Sequence, residues 1–135
     1  MVIIMENLTE YAKEQLEACK GFISANNYSV ILVEPDYCEL EAKITETSTN
    51  HLNIAHGGFI FGLADTAAGI VAMTNGKTAV TVNSSINYLK PSKGNKLKAV
   101  AKCIKRGKTI GFFEVLIFDE NDVLTSTANI TYQYL

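Results

Sequence analysis

From Gly57 to Met73 the chain reads Gly-Gly-Phe-Ile-Phe-Gly-Leu-Ala-Asp-Thr-Ala-Ala-Gly-Ile-Val-Ala-Met, apolar at almost every position and interrupted by one acid, Asp65. Its length predicts a helix. A helix apolar on all sides is normally buried, so the rest of the chain must supply a surface to cover it. With 135 residues in total, one domain must do this. A carboxylate inside such a helix costs free energy unless it is paired, hydrogen-bonded, protonated or turned toward a wet pocket. Asp65 is therefore the first candidate for chemistry.

The apolar fraction of 47% is ample for a core, and the net charge of −2 argues against binding nucleic acid through phosphate contacts. Cys19, Cys38 and Cys103 are odd in number and widely spaced, which reads as reduced packing thiols. The first six residues, Met-Val-Ile-Ile-Met-Glu, lack the basic flank and length of a signal peptide. The run from Phe59 to Met73 is shorter than a membrane span. The expectation is a soluble, cytoplasmic protein. His51 and His56 stand five residues apart with no acid at ligand spacing, so no metal site is expected. A G-x-S-x-G nucleophile elbow is also missing.

Ahead of the central run, residues 1–27 read as a helical segment. Leu8, Tyr11, Ala12, Gln15, Leu16 and Cys19 form a partly apolar stripe, and Asn7 with Glu10 has capping-box spacing. Tyr28 to Val33 is a β-branched strand, followed by a turn at Pro35-Asp36. Cys38, Leu40, Ala42 and Ile44 then alternate with polar residues. Asn75-Gly76 ends the buried helix. Four further strand segments follow: 80–89, 97–104, 110–118 and 124–134, separated by turns at 91–95, 106–108 and 119–122. Consecutive strands with short turns imply an antiparallel sheet, and one apolar helix packed on it makes an α+β architecture.

This order, together with Asn50-x5-His56-Gly57-Gly58-x6-Asp65, resembles the hotdog-fold acyl-CoA thioesterases, and among them the phenylacetate-degradation (PaaI-type) branch related to 4-hydroxybenzoyl-CoA thioesterases. The resemblance covers residues 28 to 135 and extends to Ala79-Val-Thr-Val82, Ile86-Asn-Tyr-Leu-Lys-Pro91 and Lys105-Arg-Gly-Lys108. It implies an antiparallel sheet wrapped around the central helix. Asn53 stands where the family is expected to have Gly. Asn tolerates left-handed backbone best among residues with a side chain, so the turn should survive.

The resemblance implies hydrolysis of an acyl-CoA thioester. Asp65 would be general base or nucleophile, and the Gly57 N–H at the helix N-terminus would polarise the carbonyl. Gly58 would allow close approach of the ligand, and Asn50 would orient water or thioester. His56 would bond near the carbonyl or, in the plainer reading, hold the turn. Thr81 matches an assisting hydroxyl of the family, against the plainer reading of a surface hydroxyl. Phe61, with Phe59 and Leu63, would line an apolar acyl pocket, unless these three are simply core. Lys90, Lys93, Lys96, Arg106 and Lys108 lie in or beside turns where CoA phosphates could be met. No cofactor is implied, since CoA is part of the substrate. The competing expectations are a non-catalytic acyl-CoA-binding or regulatory hotdog protein and a hotdog hydratase or dehydratase.

Nine residues of helix rise about 13 Å over roughly two and a half turns. One chain therefore cannot easily bring both Asp65 and the His56-Gly57 turn to one thioester. Two chains with their central helices antiparallel can, and the hotdog resemblance implies such a homodimer with shared active sites, as part of a homotetramer.

Overall fold

The structure, a computed structural model, describes residues 7–135. Residues 1–6 of the expected N-terminal helical segment lie outside the described residues. Two helices open the chain, α1 (Leu8–Ala18) and α2 (Phe22–Ala25). The strands β1 (Tyr28–Glu34) and β2 (Tyr37–Lys43) precede the central helix α3 (Gly57–Ala72), and β3 (Ala79–Tyr88), β4 (Lys96–Arg106), β5 (Ile110–Asp119) and β6 (Leu124–Tyr134) follow it. All six strands form one antiparallel sheet in the order β1-β2-β4-β5-β6-β3. α3 packs against every one of them. This is the wrapped helix that the apolar run and the hotdog resemblance call for.

One expectation about connections is corrected. The segment after β3 is not a hairpin turn, because β5 and β6 lie between β3 and β4. It crosses the end of the sheet and is held there by Leu89 and Lys90, whose N–H groups donate to the Thr125 carbonyl, and by Ala55, whose N–H donates to the Ser92 carbonyl. Seven residues, 89–95, can reach across two strands at about 3.3 Å per residue. Asn7 does precede α1, but its side chain makes no capping bond, so the expected capping box is not formed.

The core is the inward parity of each strand closing on α3. Cys38, Leu40 and Ala42 of β2, Phe113, Val115 and Ile117 of β5, and Ala128, Ile130, Tyr132 and Tyr134 of β6 are buried against Leu63, Ala64, Ala67, Ala68 and Val71. Burying a Leu or Val fully is worth about 1.5–3 kcal/mol. Most of the small residues in α3 lie at the sheet interface, which brings helix and strands close. α3 ends in a 3-10 turn, Met73–Asn75, capped by Gly76 at φ 82°. Including that turn, the helical stretch Gly57–Asn75 has 19 residues and a mean hydropathy of 1.4, enough by length and composition to cross a membrane, contrary to the shorter run read from sequence. Its apolarity is accounted for by the sheet around it.

Four of the six tyrosines hang α3 from the sheet. Tyr28 donates its hydroxyl to the Phe59 carbonyl (2.6 Å), Tyr88 to Gly57 (2.7 Å), Tyr132 to Asp65 (2.7 Å) and Tyr134 to Ala72 (2.8 Å). Two of these contacts need a missing side chain. A Cβ at Gly62 would lie 2.6 Å from the Tyr28 hydroxyl, and one at Gly69 would lie 2.8 Å from the Tyr132 hydroxyl.

The two sheet edges differ. Along β1, Thr9 of α1 accepts from the Val33 N–H (2.9 Å) and donates to the Val33 carbonyl (3.1 Å), capping the edge at that residue. β3 is open, and its apolar side chains are not the half-buried set that alternation suggests. Val80 is 45% exposed, Val82 53% and Tyr88 48%.

Candidate active site

Asp65 lies on the turn of α3 that faces β3 and β6, half-buried rather than enclosed. Its Oδ1 accepts from the Thr81 hydroxyl at 2.7 Å and from the Tyr132 hydroxyl at 3.0 Å. Oδ2 has no hydrogen bond among the described residues. A bulge between Thr81 and Asn83 in the β3–β6 register helps aim the Thr81 hydroxyl at the helix, where simple alternation puts it on the polar face. The carboxylate also borders a cavity of about 580 Å³ between α1, α3 and the start of β3. Leu8, Leu16, Ile70 and Val80 make much of its wall, with Asp65 and Thr81 as polar members. The acid in the apolar run is thus hydrogen-bonded and beside a cavity, two of the arrangements that make its position affordable.

Asn50, His56, Gly57 and Gly58 gather at the N-terminal end of the helix, away from Asp65 at its middle. The loop 49–55 is closed by a bridge between Thr49 and Ala55. Asn50 Oδ1 accepts from the N–H groups of Leu52 (2.8 Å) and Ile54 (3.4 Å), a side-chain-stabilised turn. Asn53 occupies the left-handed region at φ 59°. His56 is the N-cap: its Nδ1 accepts from the Gly58 N–H at 2.8 Å, so its structural task is the turn. Gly57 begins the helix, and its N–H has no acceptor among the described residues. It is a donor at the positive end of the helix dipole. The Tyr88 hydroxyl donates to the Gly57 carbonyl, which lies in the following peptide, and so holds the first residue of the helix. The chain therefore brings Asp65 to Thr81, and Asn50, His56, Gly57 and Gly58 to one another. It does not bring the two groups together.

Phe59 and Leu63 are core residues, and Phe61 is half-buried; none of the three lines the cavity beside Asp65. Arg106, one of the candidate phosphate ligands, is engaged elsewhere. Its guanidinium donates to the carbonyls of Ala72 (2.7 Å) and Val71 (3.0 Å) at the C-terminus of α3, touches the Tyr134 hydroxyl, and pairs with Asp36 Oδ1 at 2.6 Å. Lys96 pairs with Glu41 at 3.8 Å. Lys90, Lys93 and Lys108 are exposed. Among the described residues no three His, Cys, Asp or Glu side chains are grouped to hold a metal ion. Cys38 is buried, which pushes its thiol up to about 12, and it donates to the Ala67 carbonyl.

Tyr132 and Tyr88 are the site residues that sequence reasoning missed. The signal for Tyr132 was its inward parity on β6, because a buried tyrosine hydroxyl needs a partner. Tyr88 stands at the end of an open strand, where parity says little.

The family model described as the thioesterase superfamily matches residues 52–126. A putative esterase of Archaeoglobus fulgidus is 34% identical over 79 residues, 58% of this chain and 51% of that protein, so the chain spans about half that relative's length. The acyl-coenzyme A thioesterase PaaI of Escherichia coli is 27% identical over 111 residues, 82% of this chain and 77% of that one. The structure of E. coli PaaI has the same fold, with a TM-score of 0.90 at 21% identity, covering 98% of this chain and 96% of that one. A hypothetical thioesterase protein of Streptococcus pneumoniae TIGR4, solved with coenzyme A, is 31% identical with a TM-score of 0.80, covering 84% of this chain and 91% of that one. Solved variants of the pneumococcal protein replace an Asp and a Thr by Ala at positions sixteen apart, the separation of Asp65 and Thr81 here.

Proposed function

The chain belongs to the thioesterase superfamily, and on that premise we propose that it hydrolyses an acyl-CoA thioester to the free acid and CoA. The observation that carries this reading is the Asp65 carboxylate. It is held through one oxygen by Thr81 and leaves the other, beside an apolar cavity, without a partner among the described residues.

The apolar cavity wall takes the acyl group, and the thioester carbonyl oxygen accepts from the Gly57 N–H. As a base, Asp65 draws a proton from water. The hydroxide adds to the carbonyl carbon, the C–S bond breaks, and the departing CoA sulfur receives the proton from Asp65. As a nucleophile, the carboxylate itself displaces the CoA thiolate, and water cleaves the resulting mixed anhydride. Thr81 fixes the carboxylate in either route. Asn50 and His56 have each committed one atom to the turn, which leaves Asn50 Nδ2 and His56 Nε2 to meet the carbonyl. The reaction needs no cofactor. Exposed Lys90, Lys93 and Lys108 are the side chains left to meet CoA phosphates.

The separation of Asp65 from Gly57 along α3 makes the working unit a homodimer. Two copies joined along the open β3 edge cover Val80, Val82 and Tyr88 and set their α3 helices antiparallel. Asp65 of one protomer then faces Gly57, His56 and Asn50 of its partner. Exposed Ile104 and Phe112, on the solvent side of the sheet, offer the second surface for a dimer of dimers.

Release of free thiol from a panel of acyl-CoA thioesters, run beside Asp65→Asn, tests this. The expected result is turnover of at least one thioester and a loss of roughly a hundredfold or more in the variant. A panel without turnover, or a variant at full rate, sinks the reading. Tight acyl-CoA binding without turnover marks a non-catalytic binder instead.

A further inference from the structure

We infer that Tyr132 is a positioning residue for Asp65, selecting Oδ2 as the oxygen that acts on the substrate. The inference rests on the reading of Asp65 as the reacting carboxylate. Tyr132 rises from the inward face of β6 with its ring buried and packed edge-on against Phe113, with centroids 5.9 Å apart. Its hydroxyl reaches two atoms of the same residue, the Asp65 carbonyl at 2.7 Å and Asp65 Oδ1 at 3.0 Å. The phenol has one proton, shared between the two: the shorter contact holds the backbone from which the side chain springs, and the longer bears on the rotation of the carboxylate.

Thr81 approaches the same Oδ1 from β3 at 2.7 Å. Two donors from two strands converge on one oxygen, so the plane of the carboxylate is set by the sheet and not by its own helix. A carboxylate held this way keeps Oδ2 in one place, which is what a base or nucleophile needs to meet a carbonyl carbon without searching. Gly69 completes the arrangement. It lies one turn beyond Asp65, and a Cβ there would come within 2.8 Å of the phenol oxygen. The helix is thus cut away where the tyrosine must enter. Burial keeps the phenol's ionisation well above its usual range, so the hydroxyl remains a donor wherever the carboxylate is charged.

The decisive variant is Tyr132→Phe, which keeps the ring and its packing and deletes the hydroxyl. Tyr134→Phe is the control, because its hydroxyl pins the same helix at Ala72 and touches no residue of the site. Two readouts are taken. Steady-state kinetics on a turned-over acyl-CoA should show kcat lowered roughly ten- to a hundredfold in Tyr132→Phe with KM within about twofold, as expected when a reacting group is misplaced by a fraction of an ångström to an ångström. The control should stay near the wild-type kcat. Carbon-13 spectra of aspartate-labelled protein, with Asp65 assigned through Asp65→Asn, should show the Asp65 carboxyl signal displaced in Tyr132→Phe and unmoved in Tyr134→Phe. Gly69→Ala keeps the phenol but denies it its place, and it should move both readouts in the same direction. A kcat within about twofold of wild type in Tyr132→Phe overturns the inference whatever the spectrum shows. If the wild-type protein turns over nothing, the functional reading has failed separately, and the spectra still decide whether Tyr132 sets the carboxylate.

Discussion

Asn53 shows how one side chain can be replaced without changing the backbone it supports. It holds φ 59° in the loop that delivers His56 and Gly57 to the start of α3, and its N–H donates back to the Asn50 carbonyl. A residue with a full Cβ pays about 1–2 kcal/mol in this region, and Asn escapes part of that. Asn53→Ala should therefore destabilise the protein by about 1 kcal/mol in urea unfolding, whereas Asn53→Gly should leave stability nearly unchanged. At this scale the sequence was readable wherever a residue contradicted its surroundings. Asp65 stood out because it is an acid in an apolar run, and Asn53 because it stands where the hotdog resemblance leads one to expect Gly. Thr81 was harder, since its hydroxyl is turned toward Asp65 at a strand bulge that alternation cannot report. Tyr132 was overlooked because it looks like any other inward residue until its hydroxyl is asked for a partner.

Among the elements, α3 depends most on groups outside itself. Its C-terminus is held by Arg106, which reaches over from the end of β4 to the carbonyls of Val71 and Ala72 and is anchored by Asp36 in the β1–β2 turn. A cation at this position adds donors to carbonyls in the last turn of the helix and opposes the negative end of the helix dipole. Hydrogen bonds to a charged group are worth about 1.5–3 kcal/mol, so Arg106→Met should lower the unfolding free energy by about 2–3 kcal/mol and reduce Tm, with KM for acyl-CoA little changed. A large rise in KM with stability intact would return Arg106 to the phosphate site. The elements themselves were legible from periodicity, from the apolar run to the alternating β6. Their adjacency was not. The same pattern of strands and short turns fits a meander, and nothing in the composition of residues 89–95 says that they cross two strands instead of turning back.

For the whole molecule, the two sheet edges set the consequence. One is packed by α1 and capped at Val33 by Thr9, and the other runs open along β3 with apolar side chains in water. An open edge of that length is normally covered. Covering it with a second copy also resolves the distance between Asp65 and Gly57. Asp65→Ala chains and Gly57→Pro chains, each inactive alone, should regain thioester hydrolysis when unfolded together and refolded, because some mixed dimers then carry one intact site. Mixtures as inactive as either parent would separate the site from the interface. In the sequence, helix geometry and the hotdog resemblance raise the expectation of a dimer, but nothing there says which edge is free, because that depends on where α1 settles. The glycines opposite Tyr28 and Tyr132 have a further consequence for the helix they interrupt. Gly62 and Gly69 index α3 as notches index a key, each admitting one phenol from a fixed place on the sheet. A residue inserted between them would turn everything beyond it by about 100° and present a side chain where a notch is needed. Turns such as 120–123 can grow or shrink through natural variation in length, but the interval from Gly62 to Gly69 cannot.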